Sequence, residues 1–279
     1  MKVLVTGGTG FFGSHICEAL RGAGHETASL GSRDIDIKKP FALPRSDILI
    51  HAAANPKVFL ARKKPLEDFR LNALGTLHAL EAMRFAGIGK IIYISTNMVY
   101  RTRQDSMEGD PAGPSDEGGP YGLSKLAGEE YVKMYASLFG LDYLILRPTS
   151  LYGPGMYKNA VMDLIRGFME RKPVSLYHHI DSLVDFLYIG DAARAVCAGL
   201  GWEDMTLNLG SGCGTSLRKI YGILKDMFRD DIPLQWSEER IVNTVNAEKI
   251  NGLGWRPEVS IEEGLGNTVE FFRSNECRG

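Results

Sequence analysis

The chain has 279 residues, 44% of them apolar, and a formal charge of −2 at neutral pH. Such a chain can build one large core or two modest ones, and its scattered Lys and Arg exclude a polyanion-binding or membrane-surface role, so no nucleic acid or membrane partner is expected. Cys17, Cys197, Cys213 and Cys277 make no C-x-x-C pair or metal-ligand spacing, no charged leader precedes the first strand, and no apolar run approaches the ~18 residues of a membrane span; reduced thiols, no metal and a cytoplasmic protein are expected.

The first predicted element is an apolar strand at Lys2–Thr6. Gly7, Gly10 and Gly13 follow it and lead into an amphipathic run through Ile16 and Leu20. Strand, three glycines and helix form the arrangement that receives a dinucleotide's pyrophosphate. The first glycine allows the tight turn, the second lets backbone approach the phosphates, the third lets helix pack on strand, and free N–H groups at the helix start face the anion.

A second strand is predicted at Thr27–Leu30. An NAD site of this kind places a carboxylate on the adenosine ribose 2′-OH at this strand's end, but the chain reads Leu30-Gly31-Ser32-Arg33. A 2′-phosphate would meet Ser32 and Arg33 with no acid to repel it, so NADP is expected ahead of NAD. The alternative is an exposed Arg33, with Asp34 or Asp36 serving the ribose of NAD. From Gly31 to Asp47 the chain is short and proline-marked, which predicts an abbreviated crossover.

Further strands are predicted at Ile48–His51, Lys90–Ser95 and Tyr143–Arg147, with helical patterns at Leu66–Ala86 and Tyr121–Phe139. This alternation predicts an α/β fold, a Rossmann-type doubly wound parallel sheet covered by helices on both faces. The last of these helices opens with Tyr121-Gly-Leu-Ser-Lys125. Four-residue spacing puts phenol and ammonium on one helix face, and a neighbouring ammonium lowers a phenol's pKa from its usual ~10. A second copy, Tyr221 to Lys225, lies in a late helix and reads as packing and surface. Tyr121 differs in following the strand that ends at Ser95-Thr96, where an open parallel sheet binds its ligands.

Past residue 150 the regularity fades. Helices are predicted at Asn159–Glu170, Asp191–Leu200, Ser216–Phe228 and Ile261–Phe272, the last behind a Ser260-Ile-Glu-Glu263 capping pattern, and strand-like runs at Leu183–Ile189 and Leu207–Gly210. The expected division is a dinucleotide-binding domain over 1–150, with segments near 184–200 returning to it, and a smaller C-terminal substrate-binding lobe over 151–279. The Gly- and Pro-rich stretch Arg101–Pro120 is expected to be a mobile wall of the substrate pocket.

In this order the motifs Thr6-Gly-Gly-Thr-Gly-Phe-Phe-Gly13, His51-Ala-Ala-Ala54, Asn72-Ala-Leu-Gly-Thr76, Ser95-Thr-Asn-Met-Val-Tyr100, Tyr121 to Lys125, Arg147-Pro148, Tyr152-Gly-Pro154, Asp185-Phe-Leu-Tyr-Ile-Gly-Asp191 and Leu253-Gly-Trp255 resemble the extended short-chain dehydrogenase/reductases, the epimerase/dehydratase group, over nearly the whole chain. The resemblance implies a catalytic set of Thr96, Tyr121 and Lys125. It also implies cofactor contacts from Gly7, Gly10, Phe11, Phe12, Gly13, Ser32, Arg33, Ala52, Ala53, Ala54, Asn72, Ser95, Tyr121, Lys125 and Pro148, with Asp36 and Ile37 at the adenine edge. Lys125 would hold the nicotinamide ribose, and no metal would be used. The helices Leu66–Ala86 and Tyr121–Phe139 resemble those that pair in family dimers, so a homodimer is expected.

The resemblance also bears on the substrate. The dehydratase branch carries two acids where this chain has Asn97 and Met98, which argues against dehydration. Nucleotide-sugar epimerases carry an asparagine and an arginine at the positions of Ser150 and Val184, and Arg166, Arg171, Lys172 and Arg240 are candidate replacements. His178-His179 reads as an exposed loop pair with no carboxylate partner. The expected activity is a ketoreductase of a sugar-like, nucleotide-linked substrate with Tyr121 as general acid/base. Alternatives are an NAD-retaining nucleotide-sugar epimerase and, from another class, a non-catalytic cofactor-sensing or scaffold protein.

Overall fold

The structure is a computed structural model that describes residues 1–55, 61–113, 115 and 118–276, with residues 275 and 276 described by backbone alone. In chain order its first half contains β1 (Lys2–Thr6), α1 (Phe11–Gly22), β2 (Glu26–Leu30), β3 (Ile48–His51), α2 (Pro65–Phe69), a π-turn (Arg70–Leu74), α3 (Gly75–Ala86), β4 (Lys90–Ile94), a 3₁₀ turn (Asn97–Val99), α4 (Gly119–Phe139) and β5 (Asp142–Pro148). Then come β6 (Ser150–Tyr152), α5 (Ala160–Glu170), β7 (Val174–Leu176), β8 (Leu183–Tyr188), α6 (Ile189–Ala198), β9 (Met205–Leu209), β10 (Gly214–Ser216), α7 (Leu217–Phe228), β11 (Leu234–Trp236), β12 (Val242–Asn243), α8 (Glu248–Gly252) and α9 (Ile261–Glu276).

Six parallel strands form the main sheet in the order β2-β1-β3-β4-β5-β9. Successive side chains of a strand point to opposite faces, so Val3, Val5, Ile50 and Ile92 meet Ile16 and Leu20 of α1 and Val196 of α6. Leu4, Leu49, Ile91 and Tyr93 face the other way, onto Leu80 and Met83 of α3 and Val132 of α4. Burial on both faces is why these strands read as unbroken apolar runs. The chain leaves β1 for β2 on one side and returns through β3 on the other. Ligands of open sheets bind in the crevice at the carboxyl ends of such a switch point.

The abbreviated crossover is present: residues 31–47 contain neither helix nor strand, and β2 is left as a sheet edge. The helix predicted at Leu66–Ala86 starts at Pro65 and is interrupted by the π-turn, whose wider coil turns Asn72 inward.

A second group of strands runs β10-β8-β12, with β6 also on β8, beside a two-stranded β11-β7 pair. Val161, Leu164, Ile165 and Phe168 of α5 pack there with Leu224 of α7 and Leu265 of α9. Ser260 caps α9 as its sequence pattern predicts, accepting from Glu263 N–H at 3.1 Å. The short strands β6, β7, β10, β11 and β12 were not legible, since two or three residues carry no readable period.

Arg101–Pro120 differs from the mobile wall expected of it; within it, Pro114, Asp116 and Glu117 lie outside the described residues. Arg103 O accepts from Thr244 N–H at 2.7 Å, Ser106 N–H donates to Thr244 O at 3.2 Å, and Asn246 N–H donates to Ser106 O at 2.9 Å. The stretch is a strap laced to the chain around β12. Its pairing partner stands far along the sequence, so no local pattern announces it.

No described helix is long and apolar enough to cross a membrane, and among the described residues no three His, Cys, Asp or Glu side chains cluster as a metal site. Cys17, Cys197 and Cys213 are free thiols, Cys17 buried and Cys213 exposed, and Cys277 lies outside the described residues.

Candidate active site

The glycine turn is built by close approach. Gly7 leaves β1 at φ +71°, its N–H donates to Leu30 O at 2.8 Å, and its carbonyl accepts from Gly10 N–H at 2.9 Å. A Cβ on Gly13 would lie 2.1 Å from Gly7 O, and one on Gly7 2.7 Å from Ala53 backbone, so α1 and the chain after β3 close on the turn only because these positions are bare. Gly10 precedes α1 without a side-chain cap, which leaves the first N–H groups of the helix to an outside acceptor. A pyrophosphate fits this cradle. Ala52, Ala53 and Ala54 stand half-buried beside it, Phe12 packs against the core and Phe11 meets His15 edge-on.

At the end of β2, a Cβ on Gly31 would lie 2.4 Å from Thr9 Oγ1, so an acid there would require the exposed Thr9 side chain to move. Asp34 Oδ2 instead accepts from Gly31 N–H at 2.7 Å. Ser32 and Arg33 are exposed. Asp36 accepts from Lys38 N–H, and Ile37 is buried against Gly75.

Past β4, Thr96 Oγ1 accepts from Met98 N–H at 3.2 Å and caps the 3₁₀ turn. The start of α4 lies on that turn: a Cβ on Gly122 would fall 2.3 Å from Met98 O. Tyr121 and Thr96 thereby share one end of the sheet, with Lys125 one helical turn further along. The Lys125 Nζ lies 4.1 Å from the centre of the Tyr93 ring, and burial pulls its pKa down to about 7 against the opposing pull of Glu129 and Asp68.

The expected acidic phenol is not found in this state. Burial pushes the Tyr121 hydroxyl up, and the Asp68 carboxylate adds to that. Desolvation sets the direction here, and the helical neighbour Lys125 does not reverse it. His51 is buried below, its Nδ1 2.7 Å from Thr6 Oγ1, and burial with the nearby Lys125 charge holds it down to about 3.

Asp68 and Glu129 were missed, although each stands four residues from a recognised position on one helix face: Asp68 before Asn72, Glu129 after Lys125. Asp68 is fully buried and accepts from Asn55 Nδ2 at 2.7 Å, Asn72 Nδ2 at 3.1 Å and Ser124 Oγ at 2.6 Å. The Asn72 carbonyl in turn accepts from Asn55 N–H at 2.8 Å, so this amide, expected on the cofactor, is engaged within the protein and fixes the chain after β3. Ser95 Oγ donates to Glu129, which also binds Arg147 through two N–H groups at 2.9 and 2.6 Å. Pro148, at the end of β5, is buried with them.

On the substrate side, Val184 is packing within the second core, and Asn97 donates to Asn243 Oδ1 at 2.7 Å. Three of the candidate replacement cations are occupied: Arg171 by Asp230 at 3.2 Å, Lys172 by Glu170 at 2.7 Å and Arg240 by Asp181 at 3.5 Å. Arg166 lies 5.5 Å from the Tyr157 ring centre and lines, with Lys158, Asp163 and Ser175, a cleft of about 520 Å³. The histidine pair has carboxylate neighbours after all, since His178 lies 3.7 Å from Glu239 and His179 3.6 Å from Asp181. Tyr221 and Lys225 both engage Asp231 at the surface, as a packing role requires.

A parallel sheet with a glycine turn at its switch point, and a Tyr-x-x-x-Lys helix beside the neighbouring strand ends, defines a Rossmann-type dinucleotide-binding protein. More particularly, the chain belongs to the NAD dependent epimerase/dehydratase family, which it matches over residues 3–210. It is 30% identical to a putative UDP-glucose 4-epimerase of Methanocaldococcus jannaschii, over 98% of this chain and 99% of that protein. Among solved structures it resembles the Thermotoga maritima UDP-glucose 4-epimerase with UDP-glucose (TM-score 0.90, 27% identity, 99% and 100% of the two chains). The Thermus thermophilus UDP-glucose 4-epimerase complex with NAD is similar as well (TM-score 0.85, 28% identity, 98% and 99%). The NADP expected from Gly31, Ser32 and Arg33 finds no support in these relatives, one of which is a complex with NAD.

Proposed function

We propose that this protein is an NAD-retaining epimerase of a nucleoside-diphosphate sugar. The observation that carries the reading is the placing of Thr96, Tyr121 and Lys125 at the carboxyl end of β4 with uncharged Asn97 and Met98 beside them, a set able to move a proton at a sugar hydroxyl without the acids of the dehydratase branch. The relatives named above are a putative UDP-glucose 4-epimerase and two UDP-glucose 4-epimerases, one of them solved with UDP-glucose. Net reduction would fit a cofactor that exchanges with solvent and interconversion one that stays bound, and the neighbour solved as a complex with NAD supports the second.

Bound NAD would supply the hydride acceptor and donor. Gly7, Gly10, Gly13 and the first turn of α1 hold its diphosphate. The Tyr121 hydroxyl takes and returns the proton of the reacting sugar hydroxyl, and Thr96 Oγ1 hydrogen-bonds the same oxygen. Lys125, fixed over Tyr93, stabilises the phenolate when it carries its own proton. Filling the crevice excludes water and strengthens that pairing. Residues 1–150 with α6 and β9 form the cofactor lobe, and the remainder after 150 the substrate lobe. Exposed Leu123, Met134 and Leu138 on α4, with Phe85 on α3, supply the apolar face of a homodimer, and free thiols suit a reducing cytoplasm.

Incubation with UDP-glucose or UDP-galactose, with products separated by chromatography, is expected to give the same mixture from either side, and acid-denatured protein is expected to release bound NAD. Stoichiometric oxidation of added NADPH by a ketosugar, without interconversion, would favour the reductase. Full biological activity in a Tyr121→Phe variant would favour the non-catalytic alternative.

A further inference from the structure

Asp68 is a buried carboxylate that the proton transfer proposed above does not use. The end of α2 and the π-turn behind it place Asp68 and Asn72 on one inward face, and both side chains are fully buried. Asp68 Oδ2 accepts from Ser124 Oγ at 2.6 Å, while Oδ1 accepts from Asn55 Nδ2 at 2.7 Å and from Asn72 Nδ2 at 3.1 Å. Ser124 Oγ also lies 2.9 Å from the Tyr121 carbonyl oxygen. The carboxylate therefore joins the chain after β3 and the π-turn to the first turns of α4, and it does so between Tyr121 and Lys125.

These three donors are neutral, so they hold the charge in place without cancelling it. Glu129, the other acid that acts on Lys125, is different: two N–H groups of Arg147 engage it, and it works as half of an ion pair. The remaining groups around Lys125 bring no charge of their own. From β3, His51 is held neutral down to about pH 3, and from β4 the Tyr93 ring meets the ammonium with its face, its own phenol kept protonated by burial. Among these groups Asp68 is the one that adds net charge beside the pair. Burial works against the Lys125 ammonium, yet a Tyr121 phenolate needs that ammonium as its neighbour. An anion fixed at Ser124 opposes the loss, and the oxidised nicotinamide ring, itself a cation, would increase the need for it.

We propose that Asp68 is a positioning residue of the Tyr121 and Lys125 pair: it locks the start of α4 to the π-turn through Ser124, and its fixed negative charge keeps protons on the pair inside a closed crevice. The assignment rests on the proton-transfer reading above and adds to it the residue that sets the pH at which the pair works.

The test is a ¹⁵N NMR titration of Lys125 in nucleotide-free protein, its signal identified by loss in Lys125→Arg, with the pH profile of kcat for sugar interconversion beside it. Asp68→Asn keeps the shape and loses the charge. It is expected to move the Lys125 midpoint down from about 7 by about one pH unit, and the acid limb of kcat in the same direction. Asp68→Leu, also neutral and of similar size, is expected to give the same displacement, so the role stays testable if one of the two variants does not fold. Ser124→Ala cuts the tie and leaves the carboxylate, and it is expected to lower kcat with the midpoint in place. A Lys125 midpoint that stays near 7 in the folded neutral variants overturns the role of Asp68. An equal fall in Ser124→Ala overturns it too, because the tie and not the charge would then be responsible. Failure of wild type to interconvert UDP-glucose and UDP-galactose counts against the proposed function instead, and the NMR titration still decides the role of Asp68.

Discussion

Asn97 Nδ2 donates to Asn243 Oδ1 at 2.7 Å, a buried bond that fastens the turn after β4 to β12 and, through β12, to β8. Asn97 stands where the dehydratase branch has an acid, and here it serves as a tie between the two groups of strands. Asn97→Ala leaves the Asn243 amide buried without its donor and is expected to cost about 1–3 kcal/mol in urea unfolding. Asn97→Asp is expected to cost less, because the Asn243 amide can flip and donate to the new carboxylate. Equal unfolding midpoints for wild type and both variants would show that the tie contributes nothing.

Glu129 and Arg147 form a buried pair, with side chains 0% and 4% exposed, and Glu129 also receives the Ser95 hydroxyl. Glu129→Gln leaves the guanidinium buried and uncompensated, a loss expected at about 3–5 kcal/mol by chemical denaturation. Removing the whole pair by Glu129→Gln with Arg147→Met is expected to recover part of it, and a double variant less stable than the single one would contradict this account.

Tyr121→Phe tests the proposed chemistry. The ring stays in its packing and only the hydroxyl leaves, so the rate of sugar interconversion is expected to fall by about 10²–10⁴ while NAD affinity changes less than about twofold. A comparable fall in NAD affinity would mean that Tyr121 serves binding instead.

Lys125 sets a measurable stability trend. Its pKa lies at about 7 in the folded chain against an ordinary value of 10.5. Between these values the unfolded chain holds a proton that the native state has released, so this group makes stability rise with pH across 7 to 10.5, and its full penalty applies below 7. Lys125→Met removes that penalty. The nucleotide-free variant is expected to melt above wild type at pH 7, with the difference shrinking toward pH 10, and to lose activity. A gap that widens with pH would reverse the sign and refute the assignment.

His51 gives a trend of the same sign at lower pH. Held at about 3 from an ordinary 6.5, it refuses a proton that the unfolded chain accepts, so stability falls as pH drops through that window. Titration of the His51 ring by NMR at pH 5 and 6 is expected to show neutral imidazole throughout; a midpoint near 6.5 would remove this term.

Much of the fold was legible because it rests on short spacings: unbroken apolar runs for strands buried on both faces, three glycines between β1 and α1, and Tyr121 to Lys125 on one turn of α4. A proline-marked segment too short for a helix was enough to foresee the abbreviated crossover. These features are decided within a few residues of one another, and so the amino-acid order alone determined them. Where distant segments meet, the order was silent. The sequence read Gly31 as the loss of an acid, whereas the contact of Gly31 with Thr9 and the return of Asp34 required the folded turn. Asp68 meets Ser124 from 56 residues away, and Arg147 meets Glu129 from 18. The protonation of Tyr121 and Lys125 likewise belonged to the tertiary structure, because burial is a property of everything packed around a group, and here it outweighs the single neighbour that sequence spacing supplies.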